Sequence, residues 1–452
     1  MKSYTLSLAA ALLFCAVWTA SAFAQTDEAR RMPDQEEARM MRGQDEIVSF
    51  DPVYRAVDSD PATVDILFRV RHDFLVFARS LKTAAFEAEA EVTVEILDSA
   101  GVSSVARSIH TLTLSSSDNA QTYLRRSFEQ GFVSFRLKPG RYLALCIVTD
   151  KESAHKQFTR RIPIRIPHAR LASSSLILAR SVDPSGVTPS NFGGNVEFHH
   201  PVYAVVALPS RVQSIKATYS LDEMKMDDEE RTTVQKDTTV QLTVYTHTTI
   251  VPAADSARGI LYRFTPDTSH NIAVLSLNGE RLAQGRHMLH VAFDAQGDTA
   301  TMMLPFTVRW IDMPQSLRDL DFATSAMKYI TTEEEYDKLT SGRASKRIDA
   351  FMEFWKKRDP TPETAYNEQL AEYFRRVDYA AQNFRTLKEE NGVFTDRGKI
   401  FILYGTPAKT ERQLSPTNAP REVWSYPSLR KLFTFEDSSR QGNYKLIKTD
   451  TQ

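Results

Sequence analysis

The amino-acid sequence predicts a multidomain protein with two antiparallel β-sandwich (Ig-like) domains followed by an α+β C-terminal domain. Apolar and polar residues alternate with a period of two across much of residues 49–310, which is typical of strands with one buried face. The period becomes helical from Pro314 onward, and a short apolar run with three further strand-like segments follows the helical part. The 452 residues are enough for about three domains.

Residues 1–24 have the pattern of a secretory signal peptide. Lys2 lies near the start, an apolar core runs from Leu6 to Ala20, and Ala22-Phe23-Ala24 forms a small-x-small cleavage site. Residues 25–48 are rich in charged side chains and are predicted to be a linker. No later segment approaches the roughly 20 apolar residues that span a bilayer, so we expect no transmembrane segment after signal cleavage. This pattern predicts a location outside the cytoplasm.

The cysteines and the charge balance narrow the classes of function. Cys15 lies inside the apolar core of the signal peptide after bulky Phe14, which argues against lipidation. Cys146 is then the sole cysteine of the mature chain, so we expect a buried thiol and no disulfide within one chain. The 56 Lys and Arg residues nearly balance the 57 Asp and Glu residues, whereas nucleic-acid binders carry a concentrated basic face. We therefore expect no nucleic-acid partner.

Residues 49–167 are predicted to form the first sandwich. Val64, Ile66, Phe68 and Val70 alternate with polar or exposed partners, and the segment 86–96 alternates apolar residues with Glu or Thr. A turn at residues 137–142 feeds an apolar strand over residues 143–148. Several such strands separated by polar turns indicate an antiparallel sandwich.

Residues 169–310 are predicted to form the second sandwich. Tyr203, Val205 and Ala207 alternate with their neighbours, and Asn278-Gly279 is a hairpin signal. The segment 282–287 repeats the Leu-x-x-Gly-Arg-ring pattern of segment 137–142, and each copy precedes an apolar strand that ends at an Asp, Asp150 or Asp294. We therefore predict two related sandwiches in tandem, with the acidic stretch 222–230 as a solvated loop.

Residues 314–452 are predicted to form the α+β domain. Thr332 and Glu335 make a capping box for one helix, and the residues at the spacing i, i+3, i+4 and i+7 place one apolar stripe on the next, namely Ile348, Phe351, Met352 and Trp355. Prolines at 360 and 362 end that helix. A last helix carries a longer apolar face, made of Leu370, Tyr373, Phe374, Val377, Ala381 and Phe384.

The segment 391–407, NGVFTDRGKIFILYGTP, is predicted to organise this domain. Residues 395–398 are typical of a turn, and residues 399–404 are predicted to be a strand buried on both faces. A phosphate-binding loop is rejected because five residues separate Gly392 from Gly398, Ile400 replaces the metal-binding Ser or Thr, and the predicted next element is a strand. Together with strand-like segments at 422–426, 432–436 and 444–447, the run 399–404 is predicted to form a small sheet packed on the helices.

Residues from about 314 to 447 resemble the GWxTD domain, which occurs in exported proteins of Bacteroidetes- and Chlorobi-like bacteria. Val393 replaces the Trp that names the motif, and Phe394 lies beside it. The resemblance implies a type of domain and a periplasmic, extracellular or cell-surface location in a Gram-negative bacterium, but no reaction. It rests on residues 354–362, 367–368, Tyr373, 376–377, 379–380, Gly392, 395–400, 404–405, Pro407, Glu422 and Trp424.

The sequence contains no recognisable catalytic set, no metal site and no cofactor motif. None of the ten histidines lies in the C-terminal domain, and no Gly-x-Ser-x-Gly elbow is present. The sequence therefore predicts a non-enzymatic envelope protein of interaction or scaffold type, with an envelope protein or glycan as partner. The alternatives are a polysaccharide or peptide hydrolase, whose acids would lie in a cleft, and a glycan-binding module. The candidate ligand-binding residues are Asp359, Asp396, Arg397, Tyr404 and Trp424.

Overall fold

The computed structural model describes residues 47–55, 60–124, 127–153, 156–166, 174–190, 193–211, 216–224, 231–295, 298–415 and 417–451. The predicted signal peptide, 1–24, and all but the end of the predicted linker, 25–48, lie outside these residues. The acidic stretch 222–230 is described only to residue 224, where it continues a strand. The described chain is mostly β-sheet, with a helical region near its C-terminus.

The first two sheets enclose one apolar core that includes Phe68, Val92 and Cys146. A three-stranded antiparallel sheet has the order β1-β2-β6, and in the facing sheet β4 pairs with β3, β5 and β7 while β7 pairs with β8. The Cys146 side chain is fully buried, so the predicted burial of this thiol is confirmed, and burial raises its pKa to about 12. The strands are β1 Val48–Arg55, β2 Ala62–Arg71, β3 Ala78–Arg79, β4 Phe86–Leu97, β5 Ser104–Ser116, β6 Phe128–Leu137, β7 Gly140–Asp150 and β8 Gln157–Ile166.

The next two sheets enclose a second core around Val206, Leu289 and Phe306. A seven-stranded sheet has the order β15-β18-β12-β9-β10-β17-β16, and a five-stranded sheet has the order β11-β20-β19-β13-β14. The strands are β9 Ile177–Asp183, β10 Gly186–Pro189, β11 Asn195–Glu197, β12 Val202–Pro209, β13 Lys216–Met224, β14 Arg231–Gln241, β15 Thr243–Tyr245, β16 Thr248–Asp255, β17 Gly259–Pro266, β18 His270–Leu277, β19 Gly285–Ala295 and β20 Asp298–Arg309.

Both copies of the repeated motif occupy the same place, where the chain leaves one sheet and starts a strand of the other. The first copy joins β6 to β7, and the second joins β18 to β19. In each copy the ring residue at the end of the motif donates a side-chain hydrogen bond to the backbone carbonyl four residues earlier. The Tyr142 hydroxyl donates to the Lys138 oxygen at 3.1 Å, and His287 Nε2 donates to the Ala283 oxygen at 2.9 Å. The hairpin predicted at Asn278-Gly279 is therefore wrong, because β18 and β19 belong to different sheets.

The three-stranded sheet is buried on both faces. The apolar residues that alternate along β2 lie on a buried face as predicted, but most of the residues between them are buried as well. Leu67 and Val53 pack with Tyr262 and other residues of the seven-stranded sheet. Asp65 is fully buried between the sheets, where it accepts hydrogen bonds from Arg55 at 2.5 and 3.0 Å and from the Tyr262 hydroxyl at 3.0 Å. These partners satisfy a polar group that would be costly to bury without them.

We call strands β1–β8 the first β unit and strands β9–β20 the second β unit. Asp51 of β1 provides a second contact between the two β units. Its carboxylate accepts backbone hydrogen bonds from Gly193, at 2.9 Å, and from Gly194. Burial is the largest influence on this group and raises its pKa from 3.8 to about 6, against the lowering effect of the two glycine amides.

This raised pKa predicts a pH-dependent stability. Between about pH 4 and pH 6 the folded protein keeps a proton on Asp51 that the unfolded chain has already released. The stabilisation from binding this proton is therefore complete below about pH 4 and is lost as the pH rises through about 6. We expect the free energy of unfolding of the wild type, relative to Asp51→Asn, to increase by up to about 3 kcal/mol between pH 7 and pH 4. Unfolding of both proteins across that range checks this, and a difference that does not change with pH contradicts it.

The C-terminal region packs five α-helices against a four-stranded antiparallel sheet around Phe374, Val377 and Phe435. The helices are α1 Leu320–Ala326, α2 Glu333–Thr340, α3 Ala344–Lys356, α4 Glu368–Asn383 and α5 Asp396–Tyr404. The strands, in spatial order, are β21 Lys409–Gln413, β22 Arg421–Tyr426, β23 Lys431–Glu436 and β24 Lys445–Thr451. Among the described residues no helix has the length and apolar character needed to cross a membrane.

The strand predicted at residues 399–404 is wrong, because these residues belong to helix α5. Thr395 is the N-cap, and its side chain accepts a hydrogen bond from the Gly398 amide at 3.0 Å. Ile400, Phe401 and Ile402 are all buried, and a short helix buried on several sides has the same continuous apolar run as a buried strand. The predicted fourth strand of the sheet is instead β21. Because a helix and not a strand follows this segment, the order of elements does not argue against a phosphate loop, but the glycine spacing and Ile400 still exclude it.

Of the other predictions for the helices, two are confirmed and one is partly wrong. The capping box of Thr332 and Glu335 is confirmed on α2, and the apolar face predicted for α4 packs in the core. The stripe predicted on α3 is partly wrong. Ile348 and Met352 are 49% and 61% exposed, whereas Phe354 joins Phe351 and Trp355 in the core.

Tyr366, in the turn before α4, docks the helical region onto the second β unit. Its ring stacks on His199 at a centroid distance of 4.0 Å and meets Trp310 edge-on at 5.5 Å. The adjacent Ala365 amide donates to the Glu280 oxygen at 2.8 Å. Tyr366 and Ala371 thereby extend the second core.

Candidate functional site

Residues 392–398 form a tightly packed turn that leads into the first turn of α5. The Thr395 hydroxyl donates to the Gly392 oxygen at 2.8 Å while it caps α5. Gly392 lies so close to α4 that a Cβ there would be 2.0 Å from the Ala380 oxygen, and a Cβ at Gly398 would be 1.9 Å from the Gly392 oxygen. Only glycine fits at both positions, so the glycines and Thr395 together fix where α5 begins.

Asp396 ties the start of α5 to the sheet. Its carboxylate accepts a hydrogen bond from the Leu446 amide at 2.8 Å and lies 3.8 Å from the Lys445 ammonium. A carboxylate in the first turn of a helix is also stabilised by the helix dipole. The side chain is half-buried and its described contacts serve the fold.

Arg397 and Trp424, two further candidates, meet at the buried carboxylate of Glu422. Arg397 lies 3.2 Å from one carboxylate oxygen, and the Trp424 indole N–H donates to the other at 2.8 Å. Glu422 and Trp424 are 4% and 2% exposed. The Arg397 guanidinium also lies 4.4 Å from the centre of the Tyr444 ring. This network joins α5 to β22.

Asp359 lies apart from this network, in the turn after α3. It is half-buried and accepts a hydrogen bond from the Thr361 amide at 3.0 Å. This is the geometry of a turn in which an Asp side chain bonds the backbone two residues later.

Val393, which occupies the position of the motif tryptophan, is fully buried in the C-terminal core. The Tyr329 hydroxyl donates to the Val393 oxygen at 2.9 Å, and burial raises the pKa of Tyr329 to about 12. The neighbouring Phe394 ring is half-buried under the ammonium of Lys328, at 4.2 Å from the ring centre. In this chain the position serves packing.

Tyr404, the fifth candidate, lines an open groove of about 450 Å³ between α4 and the C-terminal end of α5. We call it the α4–α5 groove. Its size lies within the range of about 300–1,000 Å³ usual for ligand sites. The sequence analysis did not select its other lining residues, Glu372, Arg375, Arg376, Tyr379, Phe401, Gly405 and Thr406.

The groove combines aromatic rings with positive charge. Tyr379 is 47% exposed and stacks on Phe401 at 4.4 Å. Tyr404 stacks on Phe433 at 5.2 Å, and its hydroxyl accepts a hydrogen bond from the Lys431 ammonium at 3.1 Å. Each tyrosine is thereby held by a ring beneath it.

Arg376 is the groove residue best placed to contact a ligand. Its Nε donates to Glu372 at 2.7 Å, and the guanidinium lies against Gly405, where an added Cβ would be 3.2 Å from the Arg376 Cζ. Gly405 has a φ of +77° and its oxygen accepts a hydrogen bond from the Tyr426 hydroxyl at 2.8 Å. The end of α5 therefore leaves room for the arginine. Arg375 instead bonds the Tyr366 hydroxyl at 2.9 Å.

The groove contains a single carboxylate, Glu372, among its lining residues. Within the described ranges no group of three or more His, Cys, Asp or Glu side chains is arranged to hold a metal ion. The arrangement is suited to holding a ligand by stacking and ion pairing. It offers no pair of acids for general acid–base chemistry.

Residues 293–452 match the model of the GWxTD domain, so the C-terminal part of the chain is a GWxTD domain. The match begins within β19 and includes β20, upstream of the boundary predicted at residue 314. No curated protein matches the chain.

Solved structures similar to the chain include the C-terminal domain of the Streptococcus pyogenes antigen I/II-family protein AspA, with 10% identity, 58% of this chain and 100% of that chain covered, and a TM-score of 0.16. The C-terminal domain of the Streptococcus agalactiae AgI/II polypeptide BspA has 12% identity, 55% and 94% coverage, and a TM-score of 0.14. At such TM-scores the likeness supports no conclusion about fold or function.

Proposed function

We propose that this GWxTD-domain protein is an exported, non-enzymatic cell-envelope protein that binds an envelope protein or glycan in the α4–α5 groove. Its two β units act as a stiff spacer that presents the GWxTD domain. The single observation that carries this proposal is the groove itself, with two ring-supported tyrosines and an oriented arginine. Export and a periplasmic or surface location rest on the N-terminal sequence pattern.

The paired corners support an Ig-like interpretation of both β units. In immunoglobulin-type sandwiches a tyrosine near the start of one strand bonds the backbone a few residues upstream. Tyr142 makes this contact at the start of β7, and His287 makes the equivalent contact at the start of β19. Each unit also pairs two antiparallel-rich sheets around one core.

The contacts between units support the spacer role. Asp65 and Asp51 each bond groups across the first junction, and Tyr366 fills the second core across the second junction. Buried polar contacts at specific positions favour one arrangement over many. A spacer of this kind holds its terminal domain at a set orientation.

The places of the two candidate acids favour binding over hydrolysis. A glycosidase needs two carboxyl groups that flank the scissile bond. Asp359 bonds a turn amide and Asp396 bonds a strand amide, and Glu372 in the groove bonds Arg376. These contacts supply structural roles for all three carboxylates.

Co-sedimentation with isolated cell envelopes tests the proposal. We expect the purified mature protein to sediment with envelopes and Tyr379→Ala to reduce the bound fraction at least about fivefold, since a central aromatic at an interface contributes about 1–2 kcal/mol or more. Tyr123→Ala is the matched control, because Tyr123 is 60% exposed and lies in the first β unit. Wild-type protein that stays in the supernatant, or equal losses in both variants, contradicts the proposal.

A further inference from the structure

We infer that the ligand of the α4–α5 groove is an acidic polysaccharide, whose sugar carboxylate pairs with Arg376 while a pyranose ring stacks on Tyr379. This inference rests on the proposed function and names the chemistry of the same site. It follows from three features of the groove: an arginine with free donors, two supported ring faces, and walls built from side chains.

Arg376 is a prepared carboxylate receptor. Its Nε is held by Glu372 at 2.7 Å, while its two terminal nitrogens bond to no atom among the described residues. The side chain is 30% exposed, so these nitrogens remain within reach of a ligand in the groove. A planar guanidinium with two free donors matches the two oxygens of a carboxylate.

Tyr379 supplies the exposed aromatic platform of the groove, on the helix that carries Arg376. Tyr404 lines the same groove from the end of α5. The face of an aromatic ring carries partial negative charge and attracts the polarised C–H groups on one face of a pyranose. Because Phe401 and Phe433 support the two rings from below, little side-chain entropy is lost when a sugar binds.

The charge around the groove favours an anionic sugar over a neutral one. Arg376 and the nearby Lys431 supply positive charge at the groove, whereas Arg375 lies 3.7 Å from the Asp312 carboxylate and the Glu372 carboxylate is paired with Arg376. Lys431 lies beyond Tyr404, where its ammonium is 4.7 Å from the ring centre. A polysaccharide with acidic groups on successive sugars would therefore meet positive charge at Arg376 and at Lys431.

A peptide fits these walls less well. Extended peptides usually bind by adding a strand to a free sheet edge, and helical peptides need a broad apolar groove. The α4–α5 groove lies between helices, and the backbone groups of Gly405 already bond Phe401 and Tyr426. Its polar contacts therefore come from side chains, as a sugar with many hydroxyl groups requires.

Calorimetric titration with hexagalacturonate, and with maltohexaose as the neutral comparison, tests the inference. We expect hexagalacturonate to bind, with an affinity that falls as salt rises, and maltohexaose to bind at least about tenfold more weakly, which is the scale of one lost charge-assisted bond. We expect Arg376→Gln to weaken hexagalacturonate binding at least about tenfold on the same ground. Arg376→Lys keeps the positive charge but loses the planar guanidinium and its paired donors, so we expect an intermediate affinity.

Arg343→Gln is the matched control, because Arg343 is exposed at the start of α3, outside the residues that line the groove. Thermal melts of each variant exclude loss of folding as the cause. Absent binding, equal binding of both oligosaccharides, or equal effects of Arg376→Gln and Arg343→Gln overturn the inference. Protease treatment of the envelopes separates it from the proposed function: groove-dependent sedimentation that protease abolishes leaves the envelope-binding role in place and makes the ligand a protein.

Discussion

Glu422→Ala is expected to lower the free energy of unfolding of the C-terminal domain by about 3–5 kcal/mol, as loss of one partner from a buried ion pair does. The substitution leaves the Arg397 guanidinium, whose side chain is 13% exposed, without its carboxylate, and it also leaves the buried indole N–H of Trp424 without an acceptor. Urea unfolding followed by tryptophan fluorescence measures the effect, since Trp355 and Trp424 both lie in this core.

Glu411→Ala is the control for that measurement. Glu411 pairs with Lys409 on strand β21, and both side chains are more than half exposed. Exposed pairs of this kind contribute about 0–1 kcal/mol. A loss for Glu422→Ala no larger than that of the control shows that the network does not hold α5 to the sheet.

Gly392→Ala is expected to destabilise the C-terminal domain by more than about 3 kcal/mol, beyond the usual cost of overpacking. The added Cβ would lie 2.0 Å from the Ala380 oxygen and 2.8 Å from the Phe384 carbonyl carbon, both of which are backbone atoms of the facing helix region. No side-chain rotation relieves that contact, so α4 and the start of α5 must separate.

Gly342→Ala distinguishes crowding from backbone strain. Gly342 has a φ of +90° and no atom within 4 Å of an added Cβ, so only the backbone preference changes, at a cost of about 1–2 kcal/mol. Circular dichroism and urea unfolding of both variants check the order of the two effects. A Gly392→Ala protein as stable as the Gly342→Ala protein contradicts the packing described for the start of α5.

Period-two patterns were sufficient to predict the β character of residues 49–310, but not which faces are covered. Asp65 and Arg69 alternate with the core residues of β2 and resemble a solvated face in sequence. In the structure they are buried, because Asp65 meets Arg55 and Tyr262 and Arg69 lies 3.6 Å from Glu197 across the junction. Tyr262 and Glu197 each lie more than 100 residues from the charge they contact, so these contacts give no local signal in the sequence.

The error at residues 399–404 has a different cause. Thr395 and Gly405 are ordinary start and stop signals for a helix, but the apolar run between them is too short for its period to decide between helix and strand. The Thr395-Asp396 pair is typical of a turn, but an N-cap has the same residue preferences. The nine residues between Thr395 and Gly405 are the signal in the sequence that favours a short helix.

The residues selected from the sequence lie in the same domain as the α4–α5 groove, but most of them are residues that the fold uses. Four of the five candidates take part in turns, caps or the buried network, and only Tyr404 lines the groove. Arg376 and Tyr379 lie on the partly exposed side of α4, and their relation to Gly405 depends on where α5 ends. The available signal was an exposed tyrosine beside two arginines on an otherwise ordinary amphipathic helix.

The most direct test of the central claim compares Arg376→Gln with Asp396→Asn in envelope sedimentation, with thermal stability measured for both. Asp396 bonds the Leu446 amide and serves the fold, whereas we propose that Arg376 contacts the ligand. We therefore expect Asp396→Asn to lower the melting temperature and to leave envelope binding of the folded protein unchanged, whereas Arg376→Gln keeps the melting temperature and loses binding. The opposite result, lost binding with unchanged stability in Asp396→Asn and full binding in Arg376→Gln, contradicts the claim.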